Sequence, residues 1–178
     1  MCESGFLSRY LADEAATRRA GGALARALLA LESGADPGMQ THVAGARGLF
    51  VTLAGELGSG KTTLVRGLLE ELGVAGSVRS PTFTLLESYV AGSRQIAHLD
   101  WYRLTGASDL EALDFRELLA AGHWVLVEWP ERVPAVAAAA DLALRFDYEG
   151  PGRRLELAPR TRAGRRLSAV LEADRTLG

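Results

Sequence analysis

Apolar and polar positions along this chain follow two rhythms. Leu49-Phe50-Val51-Thr52-Leu53-Ala54 is a short, nearly unbroken apolar run, as expected of a strand buried on both faces of a parallel sheet. Trp124-Val125-Leu126-Val127 repeats it and closes on Glu128-Trp129-Pro130, where proline ends the strand. Arg94 to Asp100 predicts a third strand, interrupted by His98 and ending in a carboxylate. The turn at Ala91-Gly92-Ser93 pairs it, as a hairpin, with the second half of Pro81 to Tyr89. Phe6 to Leu11 predicts a short first strand. Asp141 to Tyr148 and Arg153 to Ala158 predict two more around Glu149-Gly150-Pro151-Gly152.

The second rhythm is helical. Asp13 is placed to cap a helix over Glu14 to Leu31, with Leu24, Ala27, Leu28 and Leu31 on its apolar side. Leu64, Val65, Leu68, Leu69 and Leu72 share one helical face and stop at Gly73, a good C-cap. Ser108 to Ala121 predicts one helix capped by Ser108, with Leu110, Leu113, Leu118 and Leu119 inward and His123 in the loop beyond. A last helix starts near Ala163 and carries Leu167, Val170 and Leu171. Ser33 to Gly48 is Gly-rich, holds a proline and lacks periodicity, so it is expected to be a flexible loop with His42 solvated.

The chain has 178 residues, 48% hydrophobic and 24% charged, which fits one domain spanning 1–178 with a real core. A net charge of -2 excludes a global basic field for nucleic acid. The only cysteine is Cys2, so neither an internal disulfide nor a cysteine-based metal site is expected. No apolar run approaches the ~18 residues of a membrane span, and no signal-peptide pattern opens the chain. The expected location is cytoplasmic, away from any membrane.

Between the first buried run and its helix lies Gly55-Glu56-Leu57-Gly58-Ser59-Gly60-Lys61-Thr62-Thr63, which matches the phosphate-binding pattern G-x-x-x-x-G-K-[ST]. Glycines let the backbone wrap close to phosphate without a Cβ in the way, and successive N–H groups turn inward onto the anion. Lys61 reaches the β- and γ-phosphates and the Thr62 hydroxyl is placed for Mg²⁺. The new helix adds its positive end to the same anion. Lys61 is also the only lysine in a chain whose other basic side chains are arginine. A planar arginine fork does not replace a compact ammonium in a tight phosphate loop.

A buried run ending in an acid is the partner pattern, in which the acid holds Mg²⁺. Glu128 follows the cleaner run and is assigned to the metal. Asp100 is given a neighbouring role, positioning water or ordering the metal shell. Ser80-Pro81-Thr82 is either an ordinary turn before a strand or a nucleotide-sensing loop whose hydroxyl meets Mg²⁺ or the γ-phosphate. Arg153, Arg154, Arg160, Arg162, Arg165 and Arg166 cluster late in the chain, as a solvated face or a patch for RNA or an acidic partner.

A GTPase would need an Asn/Thr-Lys-x-Asp guanine motif, which a second lysine would have to supply. Asp147-Tyr148-Glu149-Gly150 matches D-x-x-G by chance. A small-molecule P-loop kinase is a rival of suitable size, and a nucleotide-dependent binding module is a third possibility. No arginine finger can be named, so slow hydrolysis by the isolated protein is expected.

Four stretches together are more specific than the phosphate loop alone: Gly55 to Thr63, Ser80-Pro-Thr-Phe-Thr84, His98-Leu-Asp-Trp-Tyr-Arg103 and Val127-Glu-Trp-Pro-Glu131. In order and spacing, from about residue 13 to 160, they resemble the bacterial TsaE (YjeE) family. The Ser33 to Gly48 loop is longer than the family's, and the Arg-rich helix over 160–178 is not clearly part of the pattern. The resemblance implies an α/β, P-loop NTPase-like three-layer fold, with a mixed central sheet and flanking helices. It implies a Mg²⁺-dependent ATPase that supports the TsaB–TsaD pair in threonylcarbamoyladenosine modification of transfer RNA, meeting the RNA through that complex. By the same resemblance, Glu56, Leu57, Gly58, Ser59, Gly60, Lys61, Thr62 and Thr63 bind the phosphates of ATP or ADP. Thr62 and Glu128 hold Mg²⁺, and Lys61, Asp100 and Glu128 serve hydrolysis. Thr82 sits in a switch-like loop, Trp129 lies near the site, and the helix start around Thr17 helps hold the base.

Overall fold

The structure, a computed structural model, describes residues 7–33, 47–74, 76, 78, 81, 83–111 and 113–174. The chain opens with β1 (Leu7–Leu11) and α1 (Glu14–Glu32), then β2 (Phe50–Gly55), α2 (Lys61–Glu71), β3 (Leu86–Ala91) and β4 (Arg94–Asp100). Two short helices follow, α3 (Ala107–Glu111) and α4 (Phe115–Ala120), then β5 (Trp124–Glu128), a 3₁₀ turn (Pro130–Arg132) and α5 (Pro134–Ala137). The hairpin β6 (Leu142–Glu149) and β7 (Gly152–Pro159) leads to α6 (Arg162–Ala173).

The strands form one seven-stranded sheet in the order β1-β7-β6-β2-β5-β4-β3. Its centre, β6-β2-β5-β4, is parallel, and β7, β1 and β3 join antiparallel at the margins. The sheet is therefore mixed, as expected. Alternation along each strand sends side chains to two separate cores. Val51, Leu53, Leu126, Leu144 and Leu157 pack under α1, α2 and α6. Phe50, Ala97, Leu99, Val125 and Val127 pack on the other face with Trp101, Leu110, Phe115 and Leu119. Helices on both faces make three layers, and each fully buried Leu contributes about 1.5–3 kcal/mol.

Asp13 caps α1 as expected, accepting from the Ala16 N–H at 2.7 Å. At the end of α2, Gly73 takes φ +73, its N–H reaches the Glu70 carbonyl, and Val74 reaches back to Leu69. That double closure is the glycine-dependent helix stop the sequence predicts. α1 and α2 cross closely. A Cβ added to Gly67 would stand 2.1 Å from the Arg18 carbonyl oxygen, and one on Gly21 2.0 Å from that of Leu64. The two glycines let the backbones touch, which brings the start of α1 down onto the loop before α2.

Two expectations fail. The helix expected over Ser108 to Ala121 is two pieces, broken where Asp114 takes φ +50. Leu110 and Phe115 both enter the second core. On one continuous helix, five residues apart, they would diverge by about 140°. Phe115 instead stacks edge-on against Phe50 and Trp101, with centroids 5.1 and 5.6 Å away. On α6, Leu167 and Leu171 are buried, but Val170 is 37% exposed. The buried face of α6 is completed by Gly164 and Ser168. Residues 34–46, and so nearly all of the expected loop with His42, lie outside the described residues.

Candidate functional site

β2, β4 and β5 all end at the same edge of the sheet, and the chemistry gathers there. β2 runs into the glycine loop. Gly55, Gly58 and Gly60 take φ of +141, +76 and +112, which L side chains rarely adopt. There is also no room for a side chain at Gly55, where a Cβ would meet the Phe146 carbonyl oxygen at 2.6 Å. Gly60 begins α2 without a side-chain cap, so the first-turn N–H groups are available to an anion.

Lys61 lies over this loop, only 4% exposed. Its ammonium donates to the carbonyls of Gly55 (2.7 Å) and Glu56 (2.8 Å) and sits 3.9 Å above the Trp129 ring. Burial pushes its pKa below the usual lysine value, against the opposing pull of Glu128, Glu131 and Asp100. Trp129 is held at φ +60 directly after β5, and its ring also packs against Tyr102 at 5.0 Å.

The two strand-end acids are neighbours. Parallel pairing sets Asp100 opposite Glu128, and both are buried, at 2% and 3% exposure. The Thr62 hydroxyl donates to Glu128 Oε1 at 2.7 Å. His98 Nε2 approaches the same oxygen at 2.9 Å. Asp100 Oδ1 accepts from the Tyr102 N–H at 2.9 Å. A pocket of about 140 Å³ brings Gly58, Lys61, Thr62, Asp100, Glu128 and Trp129 to one surface. A cation, a hydroxyl, two carboxylates and the uncapped start of α2 come together, which suits an anion with an accompanying hard cation. Among the described residues no group of three or more His, Cys, Asp or Glu is arranged around a metal. The oxygen donors Thr62 and Glu128 fit Mg²⁺ only together with oxygens brought by a ligand, which is how that ion is usually held.

The family model described as "Threonylcarbamoyl adenosine biosynthesis protein TsaE" matches residues 11–155. The chain belongs to the TsaE family. A TsaE from Haemophilus influenzae is 34% identical over 161 residues, covering 90% of this chain and 94% of that protein. One from Streptomyces coelicolor is 42% identical over 103 residues, 56% of this chain and 69% of its own. One from Bacillus subtilis is 34% identical over 120 residues, 62% and 75% of the two chains. Each carries the name tRNA threonylcarbamoyladenosine biosynthesis protein TsaE. The crystal structure of YdiB from Bacillus subtilis superposes with a TM-score of 0.66 at 22% identity, covering 97% of this chain and 98% of that one. That likeness shows a shared fold.

Within this TsaE-family fold, Lys61, Thr62, Asp100 and Glu128 meet at one place. Ser59 is buried beneath the loop, while Glu56 and Leu57 are exposed on its outer curve. Thr17 is fully buried, its hydroxyl donating to the Asp13 carbonyl at 3.0 Å. It lies under Gly60, where an added Cβ would stand 3.2 Å from its methyl group. Thr82 and Ser80 lie outside the described residues. After them, Phe83 is 82% exposed with the Arg103 guanidinium 4.8 Å from its ring. Among the described residues no helix is long and apolar enough to cross a membrane.

The arginines that cluster in sequence part company in space. β7 separates Arg153 and Arg154 at the loop end from Arg160 to Arg166 at the other, roughly 25 Å away along eight residues of strand. Arg153, marked in the sequence only as part of that cluster, donates from Nη1 to the Ser59 carbonyl at 3.3 Å, and its Nε is buried with no hydrogen-bond partner among the described residues. Tyr148 likewise donates to the Leu57 carbonyl at 2.9 Å. Both come from the β6–β7 hairpin, far off in sequence, and no local signal marks them. His98 did carry a signal: it shares strand parity with Asp100.

Proposed function

We propose that this protein binds ATP with Mg²⁺ at the Gly55–Thr63 loop and hydrolyses it. We further propose that this hydrolysis supports the TsaB–TsaD pair in threonylcarbamoyladenosine modification of transfer RNA. The observation that carries the reading is the contact of the Thr62 hydroxyl with Glu128, beside Lys61 cradled by its own loop. Family membership supplies the pathway.

In this reading the loop N–H groups and the start of α2 bind the phosphates, and Lys61 leaves its two carbonyls for phosphoryl oxygen. Phosphate compensates the burial that now disfavours the ammonium's charge. Thr62 and Glu128 would hold Mg²⁺, which supplies charge neutralisation on the phosphate oxygens when bound. Asp100, buried next to Glu128, orients the attacking water. Arg153 adds positive charge beside Ser59. These groups stabilise charge where it develops, which is most of what phosphoryl transfer asks of a protein.

The rim supports a protein partner. Leu57, Phe83, Tyr148 and Tyr102 are 84%, 82%, 55% and 47% exposed around the site. Aromatic and apolar side chains at this exposure suit an interface. A partner seated there would order the site and exclude water.

The test is ATP hydrolysis with and without TsaB and TsaD from the same organism, with threonylcarbamoyladenosine on transfer RNA scored in parallel. Stimulated hydrolysis and Lys61-dependent modification are the expected results. Hydrolysis indifferent to both partners, with no modified nucleoside, would overturn the pathway reading. Phosphoryl transfer to a metabolite in place of water would mark a small-molecule kinase.

A further inference from the structure

The buried stretch of β4 from Ile96 to Leu99 is apolar except for one side chain. Ile96, Ala97 and Leu99 are buried, and His98 between them has 0% exposure. An imidazole there is costly unless it makes a bond that matters. Its Nε2 lies 2.9 Å from Glu128 Oε1. Its Nδ1 is buried without a hydrogen-bond partner. A bare ring lone pair is cheaper to leave unpaired than an N–H, so the hydrogen belongs on Nε2, facing the carboxylate.

Register explains the meeting. Side chains at 98 and 100 on β4 and at 128 on β5 fall on the face that carries α2. His98 is paired with Leu126, two residues before Glu128, so its ring reaches the carboxylate diagonally. Thr62 reaches the same oxygen from α2 at 2.7 Å. Glu128 Oε1 thus takes donors from two elements, and among the described residues both of its side-chain bonds fall on that oxygen. Two fixed donors on one oxygen set the carboxylate plane and leave Oε2 for something that the described residues do not supply.

We infer that His98 is a positioning residue, whose Nε2–H fixes Glu128 so that Oε2 is presented to the divalent cation accompanying a nucleotide. It touches neither nucleotide nor metal. The inference rests on the proposed nucleotide site and adds a cause for its affinity: donors behind a metal-binding carboxylate typically change metal affinity 10–100-fold.

The experiment uses ADP with Mn²⁺ on the full chain. Metal affinity of the ADP complex is read by electron paramagnetic resonance, and ADP affinity in chelator by calorimetry. His98→Leu is expected to weaken Mn²⁺ binding about 10-fold, with chelator-condition ADP affinity unchanged. His98→Gln, whose amide nitrogen stands where Nε2 stands, is expected to recover most of the loss. Should His98→Leu fail to fold, His98→Gln against His98→Asn asks the same question, because the shorter amide reaches only the Nδ1 position. Wild-type metal affinity in His98→Leu overturns the proposal. So does an equal loss in the Gln variant when both variants melt like the wild type. Absence of metal-assisted ADP binding in the wild type overturns the nucleotide reading itself, and is seen before any variant is made.

Discussion

Asp141 stands just before β6 and Glu128 closes β5, so the two carboxylates occupy opposite ends of the same parallel strands, each only 3% exposed. Their surroundings differ in how completely they are bonded. Asp141 accepts from Arg47 on both oxygens (2.9 and 3.0 Å), from the Phe50 N–H on Oδ2 (2.9 Å) and from the Thr161 hydroxyl on Oδ1 (2.7 Å). It ties the start of β2 to the turn before α6, and both of its oxygens are used. Glu128 is as deeply buried, but its side-chain bonds among the described residues are on one oxygen. A buried charge is tolerated when its partners satisfy it. One left half-satisfied among the described residues, beside a cavity, fits the proposal that it awaits a ligand's cation. The contrast separates a carboxylate that fastens the sheet from one proposed to work.

The strongest way to break this contrast is to remove the charges at the loop end. Lys61→Ala and Glu128→Gln are each expected to lower ATP hydrolysis about 100-fold or more, with circular dichroism spectra unchanged. Glu128→Gln should also melt close to the wild type, because its loss falls on ligand binding. Normal turnover by either variant would take that side chain out of the proposed site.

Asp141→Ala should do the reverse. Losing a fully bonded buried carboxylate strands the Phe50 N–H and the Thr161 hydroxyl. The cost is about 2–3 kcal/mol, with Arg47's contribution discounted because it is 47% exposed. For a domain of this size that lowers the melting temperature by roughly 4–12 °C. Turnover well below that temperature should be retained. If Glu128→Gln lost as much stability as Asp141→Ala, both acids would be structural and the contrast would be gone.

Half of this contrast could be read from residue order. Glu128 ends an unbroken apolar run, and Gly55 to Thr63 carries its own pattern, so local rules find the strands, the loop and helix between them, and the acid's position at the strand end. The same rules found the Asp13 cap and the Gly73 stop. They failed where the deciding contact is remote. Nothing near Asp141 in sequence announces Arg47 or Thr161, and its use depends on β2 and β6 lying side by side. Arg153 meets Ser59 only because the β6–β7 hairpin ends beside the loop. The break at Asp114 follows from where Leu110 and Phe115 must both point, which a helical repeat does not encode. His98 breaks the apolar continuity of β4, but face parity puts it on the same side as Asp100 and Glu128.

Asp109 sharpens the contrast by taking away burial while keeping the bonds. It is partly exposed at the start of α3, where Oδ2 accepts from the Thr105 N–H (2.7 Å) and the Thr105 hydroxyl (3.0 Å). The backbone bond from Thr105, followed by the hydroxyl bond, holds its pKa below the ordinary 3.8. A carboxylate with a depressed folded pKa stabilises the fold above its unfolded pKa and loses that contribution as pH falls through the folded value. The melting temperature of the wild type should therefore exceed that of Asp109→Asn slightly near neutral pH. The gap should close in acid, once pH has fallen below 3.8 and through the lower folded value. Water already solvates this carboxylate, so the effect is expected to be the smallest of the three and hydrolysis should not change. A loss at Asp109 matching that at Asp141 would mean that the number of bonds, rather than burial, sets the stability these carboxylates contribute.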